Sequence, residues 1–600
     1  MQRLKWVFKL LFILSIFDLL PETLAQAGSP MPPTCSEADR VSLLGFKARM
    51  LKDTTDILSS WTGKDCCGGD WEGVQCNPAT GRVTGLVLQR PSSDRDSGLY
   101  MKGTLSPSLG SLRFLEVLVI SGMKHIAGAI PQSFSNLTRL TQLVLEDNSL
   151  EGNIPSSLGH LPFLTTLLLT GNRLSGQIPP SLGNFPNLLL LNLAKNNLSG
   201  PIPPTFKNFL GLQSFDLSYN SLSGFIPDFL GQLKNLTFLD LSNNQFTGQM
   251  PNSLCNLPNL LDLSLSHNRL TGRIPNQIEN LKSLTSLQLS VNNLVGQIPE
   301  SISRLQRLWY LNLSRNSLSN PLPRTISNGI PSLLSLDLSY NNLSLGTVPR
   351  WITSRALSDA HLAGCDLRGT LPNFTKPNSL NSIDLSDNYF TNGLPNFFSK
   401  MSSLQKVKLS NNQIECDLLE IRLPEGLSSL DLHSNQLFGS LSRILNNNTS
   451  NFLETIDVSN NRISGSIPEF GEGLSLKMLS IGSNKIAGHI PNSISNLIEI
   501  EKLDISRNQI TGTIPTSLGL LLKMQWLDLS INGLTGKIPD SLLELGDLKH
   551  ANFRANRLCG EVPQGRPYNI FPAKAYAHNL CLCGKPMPPC RNKKLRIIGQ

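Results

Sequence analysis

The sequence predicts an α/β repeat fold, a solenoid of short stacked coils, from a fixed spacing and a fixed alternation. In the coil around Leu143 and Leu145, leucines alternate with Val144, as in a short strand whose leucines point inward. One coil cannot bury its own leucines, but stacked coils can, and each buried leucine then contributes roughly 1.5–3 kcal/mol of transfer free energy. The same skeleton recurs every 24 residues without a gap, ending at Asn148, Asn172, Asn196, Asn220, Asn244, Asn268, Asn292 and Asn316.

The recurring asparagine lies where the chain turns off each strand. Its side-chain amide can bond to backbone groups of its own and the adjacent coil, which would otherwise be buried without a partner. The skeleton L-x-x-L-x-L-x-x-N-x-L resembles the leucine-rich repeat pattern, and about twenty coils are expected. The position of the recurring asparagine in each coil is called the ladder position. Beyond Asn316 the spacing loosens to between 23 and 26 residues, and the ladder position is held by Asn341, Cys365, Asn388, Asn412, Asn435, Asn461, Asn484, Asn508, Asn532 and Asn556.

Residues 1–27 are predicted to be a secretory signal peptide. Three basic residues precede a largely apolar run over residues 10–20, and the small residues Ala25 and Ala27 follow it. A membrane anchor is the alternative, but this run is too short to span a bilayer. No later stretch approaches 18 uninterrupted apolar residues, so we expect a secreted protein without a membrane span.

Composition favours an extracellular location and disfavours nucleic acid as a partner. The chain has 11 cysteines, and eight of them lie near its two ends, which is typical of an oxidising compartment. The net charge is +9, and the tail over residues 591–600 is basic. In a secreted protein this favours an acidic polysaccharide or surface, unless the tail is simply a solvated end. No nucleic-acid-binding signature is found.

Residues 28–80 are predicted to form an N-terminal cap. The leucine and phenylalanine spacing after Glu37 and Asp39 predicts an amphipathic helix, which would cover the leucines of the first coil. The segment resembles the N-terminal cysteine cap of plant extracellular leucine-rich repeat proteins. Four cysteines permit three connectivities. The resemblance implies sequential disulfides, namely Cys35 with Cys66 and Cys67 with Cys76.

The repeats are expected over residues 81–557, with a first strand at Val83–Leu88 and a polar surface loop over residues 89–102. Segments such as Leu174–Pro179 and Leu270–Pro275 resemble the plant-specific subtype of the family. That resemblance implies a second, short sheet beside the main one. The expected fold is therefore a leucine-rich repeat right-handed solenoid (plant-specific type) with disulfide-stapled N- and C-terminal caps.

Residues 558–590 resemble the C-terminal cap of polygalacturonase-inhibiting proteins. The resemblance implies disulfides that join Cys559 to Cys581 and Cys583 to Cys590. A zinc site is not expected, because the spacing of these cysteines is wrong for a zinc knuckle. The remaining cysteines are expected to be buried small residues of the repeats, at Cys255, Cys365 and Cys416.

No catalytic motif is found, so we expect a protein that is not an enzyme and uses no cofactor and no metal. The eight histidines are scattered without a zinc-protease pattern, and neither a nucleophile elbow nor a phosphate-binding glycine loop is present. The chain ends at Gln600 without room for a kinase domain. These absences favour a binding protein.

The outward positions of the repeats form columns that carry the candidate ligand contacts. One column runs through Asp216, Asp240, Ser264, Gln288, Asn312, Asp337, His361 and Asp384. Large aromatic residues and arginine displayed together are typical of a binding hot spot. The aspartates can instead satisfy neighbouring polar groups. The ligand-binding candidates are Tyr219, His267, Trp309, Tyr310, Arg315, Tyr340 and His361.

Eight asparagines lie in N-glycosylation acceptor sequences. Asn312 is unusual among them because it lies on a predicted strand between Leu311 and Leu313, where a glycan would crowd Trp309 and Arg315. The acceptors are Asn136, Asn197, Asn235, Asn312, Asn342, Asn373, Asn447 and Asn448.

Across nearly the whole mature chain the sequence is similar to polygalacturonase inhibitors and to receptor-like protein ectodomains of plants. The resemblance implies a recognition protein of the cell wall or apoplast that binds a protein, peptide or cell-wall glycan in defence or development signalling. A receptor kinase and pectin are candidate partners. The alternatives are an inhibitor of pectin-degrading enzymes, despite about twice as many repeats, and a structural matrix or ice-binding solenoid. The mixed residues of the columns count against ice binding.

Overall fold

The computed structural model describes residues 34–89, 98–398, 400–445 and 452–590. The described chain divides into two compact units, one up to Leu167 and one from Leu168 onward. Several predicted features lie outside the described residues: the signal peptide (residues 1–27), the acceptors Asn447 and Asn448, and the basic tail (residues 591–600).

The first unit begins with helix α1, Glu37–Lys47. Two acidic residues lie in its first turn and one lysine in its last, which suits the helix dipole, and Leu43 and Phe46 are buried. Trp61 and Trp71 are also buried, and their rings stack with centroids 5.4 Å apart. The amphipathic helix predicted from the sequence is therefore present, and both tryptophans belong to the core of the cap.

An ion pair between a buried aspartate and a partly exposed arginine attaches α1 to the first repeat strand. Asp39 is 1% exposed, and its two carboxylate oxygens each accept a 2.8 Å hydrogen bond from the Arg82 guanidinium. One of these oxygens also accepts a bond from the Val83 N–H at 3.0 Å. Such a charge is costly to bury without these partners, so the pair fixes the position of the helix on the strand.

Two sheets run through the first unit. In the main sheet Val74–Asn77 is antiparallel to Arg82–Gln89, and Val117–Ser121 and Gln142–Val144 follow in parallel. In the second sheet Met50–Asp53 is antiparallel to Met101–Thr104, and Lys124–Gly128 and Ser149–Asn153 follow in parallel. Strand Thr166–Leu168 contains the boundary between the units.

The loop predicted over residues 89–102 needs correction at both ends. Gln89 ends a main-sheet strand, and Met101 and Lys102 belong to a second-sheet strand that is paired on both sides. The Met101 side chain is fully buried, which explains why this end of a polar segment is ordered as a strand. Residues 90–97 lie outside the described part of the chain.

In the second unit the main sheet is a parallel ladder of three-residue strands. Leu263, for example, is in register with Leu239 and Leu287, and all three are buried. The strands are Leu190–Asn192, Ser214–Asp216, Phe238–Asp240, Asp262–Ser264, Ser286–Gln288, Tyr310–Asn312, Ser335–Asp337, Asp359–His361, Ser382–Asp384, Lys406–Lys408, Ser429–Asp431, Thr455–Asp457, Met478–Ser480, Lys502–Asp504, Trp526–Asp528 and His550–Asn552.

A second sheet accompanies this ladder, as the family resemblance implied. Its longest part in the second unit consists of Arg173–Gln177, Asn197–Gly200, Ser221–Phe225, Gln245–Gln249 and Arg269–Thr271. Two shorter parts pair Val295–Gln297 with Ser317–Ser319, and Arg368–Thr370 with Tyr389–Asn392. In a third part, Arg557–Glu561 pairs with Thr535–Gly536 on one side and with Cys581–Cys583 on the other.

Short helical turns close most coils. A proline usually precedes or opens the turn, where its fixed φ and missing N–H are tolerated, and one apolar side chain turns inward. The α-helical turns are Arg350–Thr353 and Leu394–Phe397. The 3-10 turns are Ile57–Ser60, Pro107–Ser111, Gln132–Asn136, Ser156–His160, Pro180–Asn184, Pro204–Asn208, Asp228–Gln232, Asn252–Asn256, Asn276–Asn280, Glu300–Arg304, Arg324–Ser327, Pro377–Ser379, Leu418–Glu420, Leu441–Arg443, Asn492–Asn496, Thr516–Leu520, Asp540–Glu544, Tyr568–Ile570 and Ala573–Ala575.

The ladder asparagines bond to two coils at once. The Asn268 amide nitrogen lies 3.0 Å from the Leu241 carbonyl of the preceding coil and 3.1 Å from the Leu265 carbonyl of its own coil. Its amide oxygen accepts a 3.0 Å bond from the Phe246 N–H of the preceding coil. The role predicted for this residue is therefore confirmed, because each asparagine satisfies backbone groups that the turn would otherwise leave unpaired.

Four disulfides close the two ends of the described chain: Cys35–Cys66, Cys67–Cys76, Cys559–Cys581 and Cys583–Cys590. The other three cysteines are buried. Burial raises the pKa of the Cys255 and Cys416 thiols to about 11 and that of Cys365 to about 12, so these thiols stay protonated and unreactive.

In the described residues, no helix has the length and apolar character needed to cross a membrane.

Candidate functional site

One residue of each coil forms a ridge along the edge of the main sheet. This ridge residue directly precedes the ladder position and has a left-handed backbone, with φ of 55° at Tyr219, 53° at Arg315 and 54° at Tyr340. Backbone bonds to the next coil hold it, such as Arg315 N–H to the Ser339 carbonyl at 2.8 Å. The left-handed state costs an L-residue about 1–2 kcal/mol, so the repeat imposes this geometry on whatever side chain is displayed there.

The candidates Trp309, Tyr310, Arg315 and Tyr340, which we call the central patch, lie on two adjacent coils. Trp309 and Tyr310 are half-buried, with ring centroids 5.7 Å apart and planes tilted by 51°. Leu334 occupies the position of Trp309 in the next coil, and its side chain is 47% exposed. An apolar surface therefore lies at one edge of the patch, at the start of the strands.

Tyr310 and Asn312 share one strand face. The Asn312 amide oxygen accepts bonds from the Ser314 N–H at 3.0 Å and from the Ser314 hydroxyl at 2.7 Å. Its amide nitrogen points to the Tyr310 hydroxyl oxygen at 3.5 Å. Burial raises the pKa of Tyr310, so the phenol stays protonated and can donate to a ligand.

At the ridge edge of the patch, Tyr340 joins four coils. The Arg315 guanidinium lies 4.2 Å from the centroid of the Tyr340 ring, a cation–π contact. The Tyr340 hydroxyl donates a 2.5 Å bond to Asp387, 47 residues along the chain, and the other oxygen of Asp387 accepts a 2.9 Å bond from Asn411. These contacts give Arg315 and Tyr340 a fixed orientation.

Gly364 makes the long reach of Tyr340 possible. It is the ridge residue of the coil between Tyr340 and Asp387, with φ of 59°. A Cβ added to Gly364 would lie 2.7 Å from Cδ1 of Tyr340, so the ring occupies the space that a side chain would need. Burial, with the Asp387 carboxylate, raises the pKa of Tyr340 to about 12, which keeps it protonated as a donor.

The remaining candidates lie along the same sheet but outside the central patch. Tyr219 and His267 are exposed ridge residues, four and two coils from Arg315. At about 4.8 Å per strand these separations are roughly 19 and 10 Å. His361 is half-buried on the strand face, with Nε2 3.1 Å from the Ser382 hydroxyl. An extended ligand could reach all three, whereas a compact one at Arg315 could not.

The strand face around the patch is acidic although the whole chain has a net charge of +9. In the eight strands from Ser214–Asp216 to Ser382–Asp384, the first and third residues include six aspartates and no lysine or arginine. Some of these carboxylates cap their own turn, as at Asp337, which accepts from the Ser339 N–H at 3.0 Å. The field they produce favours a cationic ligand. The aspartates are Asp216, Asp240, Asp262, Asp337, Asp359 and Asp384.

Sequence reasoning missed two contacts further along the main sheet. His433 Nδ1 lies 2.6 Å from the Asp431 carboxylate, and this hydrogen bond raises the pKa of His433. Burial opposes the charge on Asp431, but the bonds from His433 outweigh it and lower the pKa of that carboxyl. Trp526 and His550 stack with centroids 3.6 Å apart. The 24-residue spacing of Trp526 and His550 was the signal that could have predicted their contact.

The glycosylation acceptors differ in accessibility. Asn312 is half-buried and its amide oxygen is bonded to Ser314, whereas the other described acceptors are exposed. The exposed acceptors are Asn136, Asn197, Asn235, Asn342 and Asn373.

Comparison with known families identifies the fold. The leucine rich repeat N-terminal domain matches residues 36–77, and leucine rich repeats match residues 113–174 and 186–246 and nine further segments between 259 and 545. Together these matches cover more than half of the chain. The chain belongs to the leucine-rich repeat family. Its two sheets and its asparagine ladder are the structural counterpart of that match.

Relatives of this leucine-rich repeat protein are plant proteins. It is 33% identical over 122 residues to the DNA damage-repair/toleration protein DRT100 of Arabidopsis thaliana, covering 19% of this chain and 32% of that protein. It is 32% identical over 182 residues to receptor-like protein EIX1 of Solanum lycopersicum (24% and 17% covered). It is 35% identical over 136 residues to a polygalacturonase inhibitor of Vitis vinifera (22% and 37% covered). The chain spans no more than 37% of the length of these relatives.

Solved structures similar to the chain include plant leucine-rich repeat ectodomains. The ectodomain of the Arabidopsis receptor kinase HAESA, in complex with an N-terminally extended IDA peptide hormone ligand, has a TM-score of 0.61 and 30% identity, covering 92% of this chain and 99% of that one. The PEPR1–AtPEP1 structure has a TM-score of 0.60 and 28% identity, covering 88% and 80%. The chain thus resembles ectodomains of plant receptors over most of its length.

Proposed function

We propose that this leucine-rich repeat protein is a secreted recognition protein of the plant cell wall or apoplast, which binds a peptide or a protein segment on its main sheet in defence or development signalling. The central patch carries the proposal. It displays two aromatic rings beside the exposed Leu334 at one edge, and an arginine stacked on a tyrosine at the other. In protein interfaces a few residues carry most of the binding free energy, and tryptophan, tyrosine and arginine are enriched among them.

The rigidity of the patch supports binding. Arg315 is held on the Tyr340 ring, and Tyr340 is bonded to Asp387, so these side chains lose little conformational entropy when a ligand contacts them. The regular backbone bonds between coils fix their positions along the sheet. A preorganised surface of this kind gains affinity because the cost of ordering is already met in the free protein.

The charge of the strand face favours a basic ligand. Six aspartates and no lysine or arginine occupy the strand positions around the patch, so a polypeptide segment with lysine or arginine beside an apolar side chain complements it. A polyuronate such as pectin would be repelled from the same strands. The similar HAESA ectodomain, solved with a peptide hormone, supports a peptide or protein partner for this chain as well, with a receptor kinase as one candidate.

Affinity capture from plant wall extracts tests the proposal. The full secreted chain serves as bait beside the double variant Trp309→Ala/Arg315→Ala. The matched control is Trp526→Ala/Arg507→Ala, which removes the same two residue types from the same sheet, with Arg507 also on the ridge. We expect the wild type and the control to retain the same polypeptide, and the patch variant to lose it. Equal retention by all three proteins would contradict the proposal.

Inhibition of pectin-degrading enzymes is the second candidate function. The 35% identity to the grape polygalacturonase inhibitor over 136 residues favours it. A fungal polygalacturonase is another polypeptide, so the central patch could serve as the contact surface here too. If this candidate holds, adding the purified chain lowers polygalacturonase activity, and the Trp309→Ala/Arg315→Ala variant does so less. Unchanged activity at a micromolar excess of the chain would rule it out.

A further inference from the structure

We infer that the second sheet of the second unit binds a carboxylated polysaccharide. The exposed surface in question, called the flank face here, lies on the five strands from Arg173–Gln177 to Arg269–Thr271 and on the residues that follow them. It is separate from the central patch and does not depend on the ligand proposed there. Its exposed side chains are Arg173, Gln177, Asn197, Pro201, Phe225, Gln249, Arg269, Thr271 and Arg273, and Asn197 is one of the glycosylation acceptors.

Glycines make this face flat. In successive coils the residue after the second-sheet glycine lies across the glycine of the next coil. A Cβ added to Gly248 would lie 2.4 Å from Cδ1 of Phe225, and one added to Gly272 would lie 2.7 Å from Cγ of Gln249. These glycines also have φ of 77° and 75°, which other residues rarely adopt. The result is a row of side chains, Pro201, Phe225, Gln249 and Arg273, about 4.8 Å apart from coil to coil, each lying over the glycine of the next coil.

The flank face carries positive charge without compensation. The five strands contain two arginines and no aspartate or glutamate, and Arg273 follows the last of them. Among the described residues, none forms an ion pair with Arg173, Arg269 or Arg273. By contrast Arg304, on a turn elsewhere, is paired with Glu279 at 2.6 Å. Exposed guanidinium groups without an ion-pair partner can bind carboxylates of a ligand in a bidentate manner.

The other side chains of the face select a sugar polymer among polyanions. Gln177 and Gln249 offer amide donors and acceptors, and Thr271 offers a hydroxyl, all of which suit sugar hydroxyls. Phe225 is 72% exposed, and its flat ring gives an apolar surface for the C–H face of a sugar. A linear row that repeats from coil to coil matches a linear polymer. A polyuronate, which has one carboxylate per sugar, provides this combination.

Binding to de-esterified polygalacturonate, measured with the full secreted chain over a range of salt concentrations, tests the inference. The variant Arg269→Gln/Arg273→Gln should bind about tenfold more weakly, with a smaller salt dependence, because two charge-assisted contacts are lost. The control Arg304→Gln/Lys523→Gln removes two exposed cations that lie on turns and are paired with Glu279 and Glu499. This control has the same net charge as Arg269→Gln/Arg273→Gln, and its affinity for polygalacturonate should stay within about twofold of the wild-type affinity.

Three results would overturn the inference. Equal weakening of the two double variants would mean that only net charge attracts the polymer. Undiminished binding of fully methyl-esterified polygalacturonate would show that carboxylates are not recognised. Equal effects of Phe225→Ser on polygalacturonate and on poly-glutamate would show that the face does not distinguish a sugar polymer from an acidic polypeptide. Retention of the central-patch ligand by Arg269→Gln/Arg273→Gln would show that the two surfaces act separately.

Discussion

The orientation of Tyr340 depends on the absence of a side chain at Gly364. We predict that Gly364→Ala displaces the Tyr340 ring, because the new Cβ would lie 2.7 Å from it. Gly346 is the matched control: its φ is also positive, at 68°, but nothing lies within 4 Å of an added Cβ. Gly346→Ala should lower the free energy of unfolding by about 1 kcal/mol, which is the cost of a left-handed backbone at an alanine. Gly364→Ala should lower it by about 1–3 kcal/mol more, because the new Cβ also clashes with the ring.

Chemical unfolding of the two glycine variants, together with ligand binding, checks this prediction. Gly364→Ala should also weaken binding at the central patch, since Arg315 stacks on the displaced ring. Gly346→Ala should leave binding unchanged. If both variants lost the same stability and bound alike, the packing of Tyr340 over Gly364 would have no role in the patch.

Asn312 is predicted to be free of glycan when the chain is expressed through a secretory pathway. The amide is half-buried, its oxygen is bonded to Ser314, and its nitrogen faces the Tyr310 hydroxyl. A glycan there would cover Trp309 and Arg315. Mass spectrometry of glycopeptides should find Asn312 unmodified, with exposed Asn136 or Asn342 as the internal reference for occupancy. An occupied Asn312 would exclude the central patch as a contact surface.

The Asp431–His433 pair predicts a small pH dependence of stability. The bond to Asp431 raises the pKa of His433 in the folded chain, so this contribution is complete below the unfolded histidine pKa of about 6.5 and is lost as pH rises through the folded value. The lowered pKa of Asp431 has the opposite sign, since its contribution is present above the unfolded carboxyl pKa and is lost as pH falls through the folded value. The pair is partly exposed, which limits its contribution to below about 1 kcal/mol.

The variant His433→Gln isolates that contribution. Wild-type stability should decline relative to the variant as pH rises above about 6.5, because only the wild type loses a charged hydrogen bond. Urea unfolding at several pH values between 5 and 8 measures the difference. A constant difference over this range would mean that protonation of His433 is not linked to folding.

At the scale of the repeat element, Cys365 shows what the ladder asparagine contributes. Its thiol is 3.6 Å from the carbonyl oxygens of Leu338 and Ala363, where an asparagine would donate shorter bonds. In a regular coil the amide oxygen also accepts an N–H, as Asn292 does from Leu270 at 3.0 Å. We predict that Cys365→Asn raises the free energy of unfolding by about 1 kcal/mol.

The reverse change provides the control. Asn268→Cys should lower stability by about 1–3 kcal/mol, because it removes the acceptor of the Phe246 N–H and the donor to two coils. Thermal unfolding of both variants checks the pair of predictions. A loss of stability in Cys365→Asn would show that the coil around residue 365 has adapted to the smaller side chain.

The sequence predicted the main strands and the ladder because both follow from a strict spacing of leucine and asparagine. The second sheet could be predicted only from the family resemblance. Its strands contain polar residues and glycine around a single buried leucine, as in Arg173–Gln177, so they show no strand periodicity. The prediction of a loop over residues 89–102 was wrong at Met101, because a single buried methionine in a polar segment leaves no periodic pattern in the sequence. The patch residues were found as columns, but the bond from Tyr340 to Asp387 spans two coils and depends on a missing side chain at Gly364.

At the scale of the whole molecule, the surfaces proposed for the two ligands have opposite charges. The strand face around the central patch carries six aspartates, whereas the five second-sheet strands of the flank face carry two arginines and no acidic residue. A chain with a net charge of +9 therefore has an acidic strand face and a basic flank face, and these charges suit the basic polypeptide and the acidic polymer that we propose as ligands. The net charge alone would have pointed only to the acidic polymer.

Site-specific photo-crosslinking tests the central patch most directly. A photoreactive phenylalanine analogue replaces Tyr310 in the full chain, and in a second protein it replaces Trp526, which lies at the same strand position nine coils further along. Both proteins are irradiated in wall extract, and the crosslinked peptides are sequenced by mass spectrometry. We expect residue 310 to give a crosslink to one polypeptide segment that contains lysine or arginine. Crosslinks at residue 526 but none at residue 310 would contradict ligand binding at the central patch.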